Sequence, residues 1–126
     1  MDTTTGRIVT PKIVTAAQNH ANAMRTVENW HLGPEKPSEK PGDNAAYWRE
    51  LAAIWSISEE EARRQVCANC EYYDNTPEMF RAMDKIPFND LDVKAGGRGY
   101  CHRFAFICHS LRSCMAWERR AYDEAE

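Results

Sequence analysis

The distribution of cysteine constrains this chain more than any other feature of its sequence. Five cysteines are present, and all lie in the second half: Cys67, Cys70, Cys101, Cys108 and Cys114. An odd number of thiols does not close into a full set of disulfides, and clustered cysteines in a reducing compartment more often ligate metal or perform redox chemistry. We therefore predict that the C-terminal half folds around a metal centre held by cysteine.

Composition and charge narrow the classes of function. The chain has 126 residues, which suits one domain with an appendage, and its formal net charge is −3. Such a charge gives no strong attraction to a nucleic-acid backbone or an anionic membrane. Residues 1–10 are polar and rich in threonine, without a secretory-signal pattern, and no stretch is apolar enough to span a bilayer. We expect a soluble protein made in a reducing compartment, with neither nucleic acid nor membrane as a direct partner.

The N-terminal third predicts one helix followed by an extended arm. Thr10 and Pro11 have the pattern of an N-cap and a first helical proline. The apolar face of this helix is marked by Ile13, Ala17, Met24 and Val27. Residues 33–42 contain three prolines and alternating Lys and Glu, which is typical of a linker or arm. We assign residues 1–42 to this helix and arm, and residues 43–126 to a compact domain.

Further helices are predicted in the second segment. Residue 43 or 44 can cap a helix whose apolar positions recur at helical spacing: Tyr47, Trp48, Leu51, Ile54 and Trp55. Ser58 and Glu61 form a capping-box pattern for a short helix that runs into the first cysteine, and Thr76-Pro77 starts another. Residues 84–99 lack periodicity and predict an irregular loop. The expected fold is small and mainly α, with irregular loops and a C-terminal domain stabilised by a metal cluster.

The spacing of the cysteines bears on the kind of metal centre. Cys67 and Cys70 form a C-x-x-C, in which two thiolates can converge on one metal. Zinc is an alternative, because His102 and His109 adjoin cysteines, but most zinc ribbons repeat the short C-x-x-C knuckle and this chain does not. A thioredoxin-like redox site would require a βαβ context that the sequence does not offer.

A [4Fe–4S] cluster fits the wider spacing better. The cluster is larger than one ion, so its four ligands can come from positions that are further apart. Six aromatic residues lie within a few positions of a cysteine and could exclude water from such a cluster: Tyr72, Tyr73, Tyr100, Phe104, Phe106 and Trp117. The sequence thus favours [4Fe–4S] and leaves zinc as the alternative.

Three segments resemble, in order, the ligand segments of high-potential iron–sulfur proteins. They are C-A-N-C-E-Y-Y at residues 67–73, C-H-R-F at residues 101–104 and C-M-A-W at residues 114–117. The resemblance implies one [4Fe–4S] cluster with electron-transfer activity, held by Cys67, Cys70, Cys101 and Cys114. The family has no counterpart to Cys108, its loop between the second and third ligands is shorter, and its members carry an export signal. Cys108 is therefore the substitute ligand, or else a buried free thiol.

Residues 99–117 also resemble a group of small virion structural proteins of tailed bacteriophages, including the extra cysteine. This resemblance implies a capsid cement protein, or else a tail component, assembled in many copies in the host cytoplasm. It would contact other virion proteins through the N-terminal helix and arm. No glycine-rich phosphate loop, G-x-S-x-G or H-E-x-x-H is present, so we expect no enzymatic activity and assign no catalytic residue. The alternatives are a soluble electron-transfer protein and a zinc-stabilised interaction module.

Overall fold

Helices and a small antiparallel sheet make up the part of the chain that the computed structural model describes, which is residues 11–88, 92 and 95–120. The helices are α1 (Ala16–Trp30), α2 (Ala45–Trp55), α3 (Glu59–Arg64) and α4 (Pro77–Met83), with one turn of 3-10 helix at Cys67–Asn69. The strands are β1 (Tyr73–Asp74), β2 (Arg98–Cys101) and β3 (Phe106–His109). The prediction of a mainly α fold is therefore wrong, and the fold is mixed α and β. Strands of two to four residues are too short for a period of two to be recognised in the sequence.

The sheet separates two apolar clusters. β2 is the central strand and pairs antiparallel with β1 and β3, with Tyr100 opposite Ile107 and Cys101 opposite Phe106. Because successive side chains of a strand point to opposite faces, Tyr100 and Ile107 pack with α4, whereas Phe106 and Cys108 join the other cysteines. The end of the predicted irregular loop thus forms the central strand.

Helix α1 begins later than the sequence predicts. Its N-cap is Thr15, whose hydroxyl accepts a hydrogen bond from the Gln18 amide at 3.2 Å while the Gln18 side chain accepts one from the Thr15 amide at 3.0 Å. The predicted cap, Thr10, lies outside the described residues, and Pro11 precedes the helix. This reciprocal capping box satisfies two amides that the first helical turn would leave unpaired. The helix ends at Trp30, before Gly33 as expected.

The buried face of α1 also differs from the predicted one. The fully buried positions are Asn19, Ala23 and Thr26. Of the predicted positions, Met24 is half-buried and packs against the apolar cluster that contains the cysteines, whereas Ala17 is exposed and Val27 is 43% exposed. The reason is a tertiary hydrogen bond, in which the Ile107 amide of β3 donates to Oδ1 of Asn19 at 2.6 Å. A buried amide needs an acceptor, and this one orients a polar side of the helix toward the sheet.

Helices α2 and α3 follow the sequence patterns more closely. Trp48 and Leu51 are buried in a cluster with Ala62 of α3, and Ser58 caps α3 by accepting a hydrogen bond from the Glu61 amide at 3.1 Å. α3 ends at Arg64, and the first cysteine lies in the 3-10 turn that follows it. The prediction that this helix runs into the first cysteine is therefore wrong. Thr76 caps α4 in the predicted way.

The arm after α1 packs against the segment that carries the last cysteine. Gly33 and Ser113 exchange backbone hydrogen bonds of 3.1 and 2.8 Å. The buried Arg112 donates to the carbonyls of Pro34 at 3.1 Å and Glu35 at 2.8 Å. Residues on either side of position 42, the predicted domain boundary, are thus in contact with each other.

Among the helices described, none is long and apolar enough to cross a membrane.

Candidate metal centre

All five cysteines line a single cavity. Cys67, Cys70 and Cys108 are buried, Cys101 and Cys114 are half-buried, and all five are free thiols. The structure thus brings together every cysteine that the sequence identified as a candidate ligand. The first and last of them, Cys67 and Cys114, are 47 residues apart in the chain. The substitute ligand Cys108 lies in the same cavity as the four cysteines that the resemblance implies.

The wall of the cavity is apolar. It is completed by Leu32, Tyr72, Tyr73, Phe104, Phe106, Ala116 and Trp117. Five of the six aromatic residues singled out in the sequence are among them. The exception is Tyr100, which points to the opposite face of β2 from Cys101 and packs with α4. Leu32 was missed because it follows the end of α1, where the sequence has no periodic pattern.

The cavity is small. Its volume is about 20 Å³, somewhat more than the roughly 10–15 Å³ that one water molecule needs. No three Cys, His, Asp or Glu side chains within the described residues are grouped as ligands of one metal ion.

The C-x-x-C turn is held in place by its own backbone and by the C-terminal segment. The Cys70 amide donates to the Cys67 carbonyl at 3.0 Å, which closes the 3-10 turn. The Cys67 amide donates to the Arg112 carbonyl at 2.6 Å, and the Glu71 amide donates to the Glu118 carbonyl at 2.8 Å. These bonds on either side of the turn place its two thiols beside the last cysteine.

The final C-x-x-W segment is joined to the same turn. The Trp117 amide donates to the Cys114 carbonyl at 3.1 Å. The single indole N–H of Trp117 is shared between the Val66 carbonyl and Oδ1 of Asn69, both 2.9 Å from Nε1. This half-buried tryptophan thus both lines the cavity and ties two cysteine-bearing segments together.

Backbone amides point at three of the sulfurs. The donors are the amides of Glu118 and Tyr72 for Cys70, those of Phe104 and Arg103 for Cys101, and that of Ala116 for Cys114. Each of these hydrogen bonds lowers the pKa of its thiol, because it favours the thiolate form. Hydrogen bonds to the ligating groups also orient metal ligands and tune the potentials of iron–sulfur centres.

Burial outweighs these hydrogen bonds at the three thiols. It raises the pKa of Cys101 to about 11 and that of Cys114 to about 12, and it also raises the pKa of Cys70. These thiols therefore carry their protons at neutral pH. Because metals bind thiolates, occupancy of the cavity must release protons and compensate for the buried charge.

Cys108 has a different environment. It is fully buried, and burial raises its pKa well above the ordinary value, as do its hydrogen bond with the Cys67 thiol and the neighbouring thiols. It lies in β3 opposite Gly99, whereas Cys101 ends β2 beside the hairpin turn. The amide donors at Cys101 favour Cys101 over Cys108 as a ligand.

The two histidines that suggested zinc have other partners. His102 Nε2 lies 2.9 Å from Oδ2 of Asp74 on the exposed side of the sheet. His109 is buried, with Nε2 2.7 Å from Oδ1 of Asp92 and Nδ1 2.7 Å from the Arg112 guanidinium. Since an arginine can only donate, Nδ1 of His109 accepts and Nε2 carries the proton. Both nitrogens of His109 are thus engaged away from the thiols.

Comparison with known proteins found no match to this chain among protein-family models, curated proteins or solved structures.

Proposed function

We propose that this chain is a virion structural protein stabilised by a [4Fe–4S] cluster on Cys67, Cys70, Cys101 and Cys114. The main observation that supports a cluster is that all five thiols line one apolar cavity. Three of these four ligands accept backbone amide hydrogen bonds at sulfur. The choice of these four among the five cysteines comes from the resemblance to high-potential iron–sulfur proteins.

One observation bears against a zinc site made of cysteine and histidine. His102 and His109 both have hydrogen-bond partners away from the thiols. A cubane cluster takes its cysteine ligands from separate segments of the chain, and several such segments line this cavity. When bound, it joins four points of the chain and supplies a one-electron couple. The aromatic walls exclude water from it.

A structural role follows from the small size of the core. The described residues divide their buried apolar side chains among three separate clusters, and none of these clusters has more than six buried members. A centre that binds only the folded state adds its binding free energy to stability. The cluster would thus substitute for the apolar core that the sheet and the cysteine-bearing turns do not supply by themselves.

The virion assignment rests on the resemblance of residues 99–117 to phage structural proteins. In this proposal, copies of the chain contact one another or other virion proteins through α1 and the arm, as part of a capsid or a tail. Val27 on α1 is an apolar side chain that is 43% exposed, as such a contact requires. The assignment predicts that the chain is a component of purified phage particles, which mass spectrometry can detect. Its absence from them would remove this part of the proposal.

The cluster is tested by metal and sulfide analysis of protein purified without oxygen. We expect about four iron and four sulfide per chain and a broad absorption band near about 400 nm. A colourless protein with about one zinc per chain would instead support the zinc-stabilised module. Protein with neither metal would contradict both readings.

The structural role is tested by removing the iron. We expect the metal-free protein to lose the circular dichroism of the C-terminal half and to regain it when iron and sulfide are restored. A metal-free protein that keeps native-like near-ultraviolet circular dichroism would contradict a stabilising role, even if the cluster itself is present.

One observation supports electron transfer as the second candidate. Cys101 and Cys114 are only half-buried, so one side of the cavity lies close to the surface. An electron carrier needs such an edge, and a reversible one-electron wave in voltammetry would support this role. A cluster that is redox-inert over the accessible range would exclude it.

A further inference from the structure

We propose that Arg103 closes the solvent side of the cysteine cavity and slows the loss of a bound cluster. This inference rests on the proposed [4Fe–4S] cluster. Arg103 is here a positioning residue, because it acts through the aromatic side chains that cover the cavity and not by binding the cluster.

Three aromatic rings surround the Arg103 guanidinium. Its central carbon lies 5.2 Å from the ring centre of Trp30, 5.3 Å from that of Phe104 and 5.6 Å from that of Tyr72. All three distances fall within the range at which a cation is attracted to the face of an aromatic ring. The three rings come from different parts of the chain: the end of α1, the hairpin turn, and the segment after the C-x-x-C.

Two of these rings form part of the cavity wall. Tyr72 and Phe104 line the cavity, and both are half-buried. Trp30 packs on Phe104 from outside, with ring centres 5.2 Å apart. Tyr72 and Phe104 thus lie between part of the cavity and solvent. Arg103, which contacts all three rings, stabilises the closed arrangement.

The position of Arg103 is set by further contacts. Its Nη1 lies 3.4 Å from the Tyr72 hydroxyl and 3.9 Å from Oε2 of Glu118, and the Tyr72 hydroxyl donates to the same Glu118 oxygen at 2.7 Å. The backbone amide of Arg103 also donates to the Cys101 sulfur. One residue thus connects a ligand cysteine with the outer cover of the cavity. Its side chain is 37% exposed, so it lies at the boundary with solvent.

The rate of cluster loss tests this role. Anaerobically purified chain would be exposed to an excess of a ferrous chelator, bathophenanthroline disulfonate, and the decay of the absorption near about 400 nm followed. Arg103→Gln removes the charge and keeps part of the stem, and we expect it to lose the cluster about three- to tenfold faster than the unmodified chain. Arg103→Lys keeps a cation and should fall between the two.

The control is Arg49→Gln, on the exposed side of α2. Arg49 pairs with Glu59 at 3.0 Å, and its side chain is 72% exposed. This variant should lose the cluster at the unmodified rate. A wild-type rate for Arg103→Gln would overturn the proposal, as would an equal acceleration in Arg49→Gln.

The proposed cluster and the proposed role of Arg103 can fail separately. If the purified protein contains no iron, the cluster is contradicted, and the role of Arg103 is then tested by alkylating the cysteines of the purified chain with iodoacetamide. Faster alkylation of Cys101 in Arg103→Gln than in Arg49→Gln would support a cover over the cavity. Equal rates would overturn it.

Discussion

The five thiols differ in what surrounds their sulfur atoms. Cys70, Cys101 and Cys114 accept hydrogen bonds from backbone amides, whereas the thiol of Cys108 is paired with that of Cys67 at full burial. Amides aimed at sulfur favour the thiolate that a metal binds. At the residue scale, backbone amides set Cys70, Cys101 and Cys114 apart from Cys67 and Cys108, although all five side chains line one cavity.

This difference predicts opposite results for two alanine substitutions. Cys101→Ala should abolish stable incorporation of four-iron clusters, because it removes a ligand. Cys108→Ala should keep about four iron per chain, at a stability cost of about 1 kcal/mol for a small buried side chain. Iron analysis and urea titration measure both effects. Loss of iron in Cys108→Ala together with retention in Cys101→Ala would exchange the roles of the two residues.

Asn19 illustrates a second effect at the residue scale. Its buried side chain is the acceptor for the Ile107 amide of β3. Asn19→Ala should lower the free energy of unfolding by about 1–3 kcal/mol, because a buried N–H is left without a partner. Urea denaturation measures this change. Asn29→Ala, at an exposed position of the same helix, is the control and should change stability by no more than about 0.5 kcal/mol. Similar effects in both variants would contradict the importance of this hydrogen bond.

At the scale of elements, β1 and β2 approach closely at Gly99. A methyl group on Gly99 would collide with the ring of Tyr73, which lines the cavity and whose hydroxyl donates to the Gly97 carbonyl at 3.0 Å. The glycine thus gives the tyrosine ring room to lie across the sheet. Without it, the ring could not complete the wall beside the cysteines.

Two glycines of this segment therefore provide a matched pair of variants. Gly99→Ala should destabilise the protein by about 1–3 kcal/mol through overpacking, and it should reduce iron retention because Tyr73 is displaced. Gly97→Ala places its methyl group where nothing lies within 4 Å. It should change stability by less than about 0.5 kcal/mol. Equal midpoints in urea for the two variants would contradict this packing.

At the scale of the whole molecule, the N-terminal segment contributes to the cavity and to the sheet. Leu32 lines the cavity, α1 packs on β3, and the Tyr47 hydroxyl shares its one hydrogen between the His31 carbonyl, at 2.8 Å, and the Ser113 carbonyl, at 2.9 Å. Dense contacts of this kind couple segments into one cooperative unit. The predicted division into residues 1–42 and 43–126 remains a prediction, and these contacts bear on it.

A fragment of residues 43–126 tests the division. We expect it to retain less iron than the full chain and to unfold at a lower urea concentration, because it lacks Leu32 and the helix that covers β3. The full chain should unfold in one transition when followed by circular dichroism and by the cluster absorption. A fragment as stable as the full chain, with the same iron content, would instead show that the two segments are separate domains.

Short-range patterns in the sequence were sufficient to predict several features of the fold. The caps Ser58 and Thr76 and the buried Trp48 could be predicted because capping and helical periodicity depend on residues three or four positions apart. The grouping of the cysteines in one half of the chain, with aromatic neighbours, likewise indicated that they belong to one site. The sequence by itself determined these features.

Only the tertiary structure decided which sides of the elements face the cavity. The sequence did not show that α1 turns Asn19 toward the sheet, since that orientation depends on an amide 88 residues away. Nor did it show that Cys108 lines the cavity whereas Tyr100 packs on the opposite face of the sheet. Strand pairing sets which alternate residues share a face. Register and long-range hydrogen bonds exist only once distant segments have met, and no local pattern records them.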